Sequence, residues 1–377
     1  MTHPHPPAPH RVALHVGAPK SGTTFLQRAL WKNRDELRAV GVTCPGERAR
    51  DMFVAAIEIR EAAKSWGYDQ EAITGTWDQL CRDARAFPGV TVMSHELLSA
   101  GTPDQIARAM VGLEGLETHL VLTVRDLARQ ITSEWQERVK NGSTISFRKF
   151  QRGVVRQIES GELSSLFWRY QHITGIADRW AADLPSDRVH IVVAPQSGGA
   201  PDLLWHRFGQ AVGFDATTLD PSTGVTNQTL GPAQVALLRR VNLALDRRIR
   251  QPRYGRVVKS YFAQQVLAGQ QAPKPATPPA LVEALSGVAE AVNKDVVARG
   301  YQVYGDLSEL VPTPAEPGAI PPDRVAKGDE LDAAAHAIAD LLIDRAERRT
   351  KEPAGESVDD AAPLGRRMLG RLRRSLG

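Results

Sequence analysis

Between residues 17 and 24 the chain reads Gly17-Ala18-Pro19-Lys20-Ser21-Gly22-Thr23-Thr24. Gly17 and Gly22 keep the GxxxxG spacing of a phosphate-binding loop. Glycines at those points let the backbone turn tightly and aim its N–H groups at phosphate oxygens. Ser21, Thr23 and Thr24 add hydroxyls, and Lys20 adds a charge within reach of a phosphate or a bridging oxygen. The loop is not a Walker A motif. That motif needs a lysine directly after the second glycine, then Ser or Thr for Mg²⁺. Here Thr23 stands in the lysine position, so a nucleoside-triphosphate site of that kind is not what the sequence writes.

A phosphate loop works only between a strand and a helix whose N-terminus faces the anion. Val12–Val16 is a short apolar run that predicts a buried strand, and Phe25, Leu26, Leu30, Leu37 and Val40 predict one helix over 23–40, stopped at Gly41. Three more short apolar runs, 89–94, 119–124 and 189–193, read as strands. Helices are expected at 103–112, 126–140, 202–212, 233–249 and 280–298. Short continuous apolar strands alternating with helices define an α/β fold with a central, mostly parallel sheet flanked by helices in three layers.

Composition narrows the function classes. The chain has 377 residues, 42% of them apolar, with 47 Lys+Arg against 43 Asp+Glu, a net charge of +4. That balance argues against a protein whose main role is coating nucleic acid. Two cysteines, Cys44 and Cys81, make neither a disulfide framework nor a four-thiolate zinc site. With no long apolar run and no leader-like N-terminus, a cytoplasmic protein is expected. Residues 1–10 read as a disordered Pro- and His-rich tail, 311–328 as a Pro-rich linker and 329–350 as a helix. In 351–377, Leu364, Met368, Leu369, Leu372 and Leu376 share one helical face, with arginines elsewhere. That basic amphipathic tail would touch an anionic membrane surface or a partner, or stay solvated.

Pro19-Lys20-Ser21-Gly22-Thr23-Thr24 after an apolar strand resembles the 5′-phosphosulfate loop of sulfotransferases that use 3′-phosphoadenosine 5′-phosphosulfate (PAPS). The resemblance implies a P-loop-type fold over 11–310. It implies that Lys20 contacts the bridging oxygen, while Pro19, Ser21, Gly22, Thr23 and Thr24 belong to the 5′-phosphate site. The family also carries a strand ending in Arg, with a Ser eight positions later, for the 3′-phosphate. Arg125 closes the strand here and Ser133 lies eight residues on. A guanidinium at a strand's C-terminal end sits where open α/β sheets bind ligands, and its fork suits phosphate. Asp126 is weighed as a Walker B carboxylate and read instead as a residue favoured by the helix dipole. The segment around Asn227 resembles actinobacterial members and would approach the nucleotide. Pro252–Lys259 could supply further cations without reproducing the family's Arg-Lys-Gly pattern.

Sulfuryl transfer needs a proton acceptor and neutralisation of the leaving phosphate, and nothing in it requires a metal, so none is expected. His95, at the tip of the strand 89–94, is the preferred base and Glu96 the alternative, as both kinds occur among members. His15 reads as a core histidine bonded to backbone, and Glu134 and Glu137 as a solvated helix face. Trp66, Tyr68, Trp77, Phe167, Trp168 and Tyr170 are candidates for an acceptor pocket or simply core. The expected function is transfer of a sulfuryl group from PAPS, leaving 3′,5′-bisphosphate (PAP), to a hydroxyl or amine of a small-molecule, carbohydrate or lipid acceptor. A P-loop small-molecule kinase and a non-catalytic descendant of the fold remain alternatives. The acceptor and the oligomeric state are not legible.

Overall fold

A computed structural model describes residues 10–196, 198–200, 202–222, 224 and 230–351. The expected N-terminal tail up to residue 9, Asn227 and the basic tail from residue 352 lie outside the described residues. The chain divides into two compact units at Ala334 and Ala335. The first holds every strand.

Six strands, β1 (Arg11–His15), β2 (Val42–Thr43), β3 (Val90–Ser94), β4 (Glu117–Val124), β5 (Val189–Val193) and β6 (Gln302–Tyr304), form one sheet in the order β2-β3-β1-β4-β5-β6. Every pairing is parallel. Side chains alternate across it. Val12, Leu14, Leu120, Leu122 and Ile191 join Trp77, Met93 and Trp180 on one face. Ala13, Val92, Val121 and Val192 pack under Leu26, Leu30, Trp205 and Phe208 on the other. Burial on both faces explains why the four long strands read as continuous apolar runs. β2 and β6, of two and three residues, are too short to carry such a run.

β1 lies between β3 and β4, so the chain's connections diverge to either side of it. This is the switch point where α/β sheets open a crevice beyond their strand ends. The loop of residues 17–22 leaves β1 there. The helix after it is Thr23–Lys32, shorter than expected. It breaks at Asn33, whose side-chain amide donates to Ala29 O at 2.8 Å and to Asp220 O at 2.9 Å, and a second helix runs over Arg34–Ala39. The expected helix over 126–140 is Leu127–Lys140, hereafter the site helix. The helices at 103–112 and 280–298 appear as Pro103–Gly112 and Pro279–Ala298. Within the Pro-rich segment, Ile320 bridges to Pro275, with Ala276 N donating to Ile320 O at 2.9 Å.

At the sheet's other end a chain of bonds crosses three strands. His119 Nε2 meets Glu117 Oε1 at 2.8 Å, His119 Nδ1 meets His190 Nε2 at 2.8 Å, and His190 Nδ1 meets Tyr304 Oη at 3.1 Å. One proton order satisfies it: Tyr304 donates to His190, His190 to His119, and His119 to the carboxylate. Each ring is then neutral, and a further proton has no acceptor. Burial, with His119 and Arg11 beside it, lowers His190 to about 4. A folded value below the unfolded one, roughly 6.5, means that the unfolded chain binds protons first. The stability these neutral rings contribute is complete above about pH 6.5 and is lost as pH falls toward about 4. Melting temperature should therefore drop across that window, and less steeply in His190→Gln. A wild-type melting temperature that stays flat across it would refute the assignment.

Candidate active site

The loop is braced from below by hydroxyls. His15, at the end of β1, sits in register with Ser94 of β3. Its Nδ1 is 2.8 Å from Ser94 Oγ and its Nε2 is 3.0 Å from Thr123 Oγ1. Thr123 Oγ1 reaches Ser21 Oγ at 2.7 Å, and Ser21 Oγ donates to Ala18 O at 2.6 Å. Every proton can be placed: Ser94 to His15, His15 to Thr123, Thr123 to Ser21, Ser21 to the loop carbonyl. The ring must be neutral for this, and burial lowers His15 to about 4. His15 is a core histidine as expected, but its partners are hydroxyls rather than backbone. Ser21 is also corrected. It is buried, and its hydroxyl proton goes to Ala18 O. It shapes the loop and offers no O–H to a phosphate.

Gly17 has φ +28°, and a Cβ there would lie 2.6 Å from Thr23 Cγ2 and 2.8 Å from Thr123 Oγ1. Gly22 has φ +97°, and a Cβ would collide with the Leu204 side chain. Lys20 itself has φ +70°, a left-handed backbone that costs a β-carbon residue about 1–2 kcal/mol. Three donors hold the strained loop. Gln130 Nε2 donates to Pro19 O at 2.8 Å, Gln171 Nε2 to the same oxygen at 3.2 Å, and Arg125 Nη1 to Lys20 O at 3.3 Å. The loop's carbonyls thus face the protein. Gly22 caps the helix without a side chain, leaving the first-turn amides of Thr23 and Thr24 to the crevice. Thr23 is buried and Thr24 exposed.

Arg125 and Lys20, 105 residues apart, therefore meet at one loop. Asp126 is the N-cap of the site helix. Its Oδ1 accepts from Arg129 N at 2.9 Å and its Oδ2 pairs with Arg129 Nε, so it is a capping residue. Burial and the nearby Arg129 push Arg125 down to about 10 against the pull of Asp126, so it is cationic at neutral pH but under-compensated. Arg125 also lines a small cavity with Trp168, His172 and Asn293. Two turns along the site helix, Ser133 is half-buried with no hydrogen bond to a described residue.

Glu137, one turn beyond Ser133, corrects the solvated-face expectation. Its Oε2 binds Lys20 Nζ at 2.9 Å and Lys140 Nζ at 2.8 Å, and its Oε1 binds Lys259 Nζ at 2.7 Å. Burial pushes this carboxyl up, but Lys20, Lys140 and Lys259 together hold it well below the ordinary range. Glu134 is buried rather than solvated. It accepts from Arg138 Nε at 3.1 Å, and burial raises its pKa. Lys259 comes from a π-helix, Gly255–Leu267. Nothing in the spacing of Glu137, Lys140 and Lys259 announces their convergence beyond the i, i+3 step on one helix.

Beside the loop, β3 is followed by His95 and Glu96. His95 Nδ1 accepts from Leu97 N at 3.2 Å, capping a 3₁₀ turn over Glu96–Ala100. The proton of the neutral ring is therefore on Nε2, which leaves no ring lone pair free to take one. Burial lowers its pKa despite Glu96. Glu96 Oε2 accepts from Gln27 Nε2, on the loop's own helix, at 2.9 Å. Burial would raise Glu96, but His95, its own backbone amide and Gln27 outweigh it and keep it ionised. Phe53, absent from the sequence reading, faces His95 with ring centroids 5.5 Å apart, and Trp66 and Tyr68 pack on Phe53. These three are half-buried, as is Tyr170, whereas Trp77, Phe167 and Trp168 are core.

Among the described residues no group of three or more His, Cys, Asp or Glu could hold a metal, and no helix is long and apolar enough to cross a membrane. No family model matches the sequence, and no curated protein is a significant match. The chain is similar to the crystal structure of a sulfotransferase from Alicyclobacillus acidocaldarius, at 16% identity over 63% of this chain and 93% of that one, with a TM-score of 0.35. A likeness of that size carries no argument about activity.

Thr123→Val keeps the shape but strands the His15 N–H and the Ser21 oxygen. It should cost about 1–3 kcal/mol in urea unfolding. A change near zero would show that the hydroxyl relay does not brace the loop.

Proposed function

We propose that this chain is a sulfotransferase that binds PAPS across the loop of residues 17–24 and Arg125, and passes its sulfuryl group to a hydroxyl or amine acceptor. The observation that carries the reading is the meeting of two distant elements at one loop: the Arg125 guanidinium donates to the carbonyl of Lys20, and Lys20 extends to the helix that bears Ser133. The donor set suits a doubly phosphorylated nucleotide. Uncapped amides and Lys20 suit the 5′ end, while Arg125 and the Ser133 hydroxyl suit a 3′-phosphate.

The bound donor would supply a sulfuryl group on a good leaving group. The chain's residues do the rest by position and charge. Lys20 neutralises the charge that develops on the departing phosphate oxygen. Glu96, ionised and fixed by Gln27, takes the acceptor's proton. His95 is better suited to donating through Nε2, to orient the acceptor, than to acting as base. Phe53, Trp66, Tyr68 and Tyr170 would form an aromatic wall suited to a sugar or aryl ring.

PAP should raise the melting temperature without Mg²⁺. Stabilisation only by Mg·ATP would favour a kinase instead, and no nucleotide effect a non-catalytic module. Arg125→Ala should weaken PAP binding at least about tenfold, the scale of one charged hydrogen-bond pair. Against an acceptor panel with labelled donor, Lys20→Ala should lower turnover about 100-fold or more. Unchanged activity in both variants would refute the assignment. Glu96→Gln should abolish transfer while leaving PAP affinity within about twofold, and His95→Gln should retain more activity than Glu96→Gln. The reverse order would return the base to His95.

A further inference from the structure

Three ammonium groups from three separate elements converge on one carboxylate. Lys20 arrives from the loop, Lys140 from the site helix and Lys259 from the π-helix, all within 2.9 Å of Glu137. Asn141 Nδ2 adds a bond to Glu137 Oε1 at 3.3 Å and also holds Lys259 through its Oδ1 at 3.0 Å. One lysine would balance one carboxylate, so two positive charges are left over at this point. The other carboxylate near it, Glu134, is already bonded by Arg138. Burial and Lys20 both act to discharge Lys140, a sign of repulsion within the cluster. Ammoniums this close hold together only around an anion. Ser133 stands one turn back on the same helical face, toward the loop.

We propose that Glu137 is an internal surrogate for the donor's anionic group: it occupies the lysines in the empty enzyme and competes with the nucleotide for Lys20. The arrangement has two effects. It keeps the lysines gathered in the free state, so that little reordering is needed on binding. It also places a negative charge beside the bound polyanion, which weakens binding and speeds release of the product. Glu137 is thus a positioning residue that sets nucleotide affinity and release through Lys20. This rests on the sulfotransferase reading, and the test separates the two.

The measurement is calorimetric binding of PAP, and independently of inorganic pyrophosphate, to wild type, Glu137→Gln and Glu137→Asp at low salt. The shorter aspartate keeps the charge but pulls away from Lys20, which covers the case in which the glutamine variant does not fold. The surrogate role predicts that PAP and pyrophosphate bind at least about fivefold tighter to each folded variant than to wild type. It also predicts slower PAP dissociation by stopped flow and, for Glu137→Gln, a lower melting temperature without ligand that added pyrophosphate restores. A purely bracing role would scatter the lysines and weaken binding. Equal or weaker affinity in the folded variants overturns the proposal. If wild type takes pyrophosphate but not PAP, the sulfotransferase reading fails, while the pyrophosphate comparison still decides the role of Glu137. If wild type binds neither, both fail.

Discussion

A neutral imidazole at the end of β1 is the constraint on which the site depends. His15 can serve Ser94 and Thr123 at once only with one proton, and that proton's position orders every hydroxyl down to Ala18. The three strand ends that carry the loop, the candidate base and Arg125 are thereby tied at one point on the sheet. A charged ring would break the order and leave a cation buried under the loop. The loop's left-handed backbone at Lys20 is tolerable because donors from below fix its carbonyls.

The electrostatics follow from that scaffold. Lys20, Arg125, Lys140 and Lys259 gather where the sheet opens, with Glu137 as the carboxylate that meets three of them. An anion entering there meets cations already gathered and held in place, a preorganised field rather than one assembled on demand. On the flank, Glu96, the proposed proton acceptor, is tied to the loop's own helix through Gln27.

Much of this was legible in the sequence because it is local. The GxxxxG spacing, the apolar strand before it, and Arg125 at the end of β4 each lie within a few residues of their element, and the fold class followed from the apolar runs. What was not legible depends on distance or on rotation. Glu137 looked like one more charge on a polar helix. Its partners include two lysines remote in sequence, one delivered by a π-helix that no 3.6-residue periodicity announces. Gln130 and Gln171 carry no motif, yet they converge on one carbonyl. Ser21 read as a ligand because hydroxyls next to glycines usually are, but the register puts Thr123 beneath it. His95 read as the preferred base from its strand tip, its tunable ring and the family resemblance, but which ring nitrogen a backbone amide occupies is set by the fold and has no sequence signal.

The carbonyls of Ala18, Pro19 and Lys20 are all engaged by side chains, Ser21 within the loop and Gln130 and Arg125 packed against it. Three acceptors that would repel an anion are consequently spent on the protein, while the first-turn amides stay uncapped. A guest that carries negative charge is favoured by that arrangement, so the loop sorts its visitors by polarity before their shape is ever read.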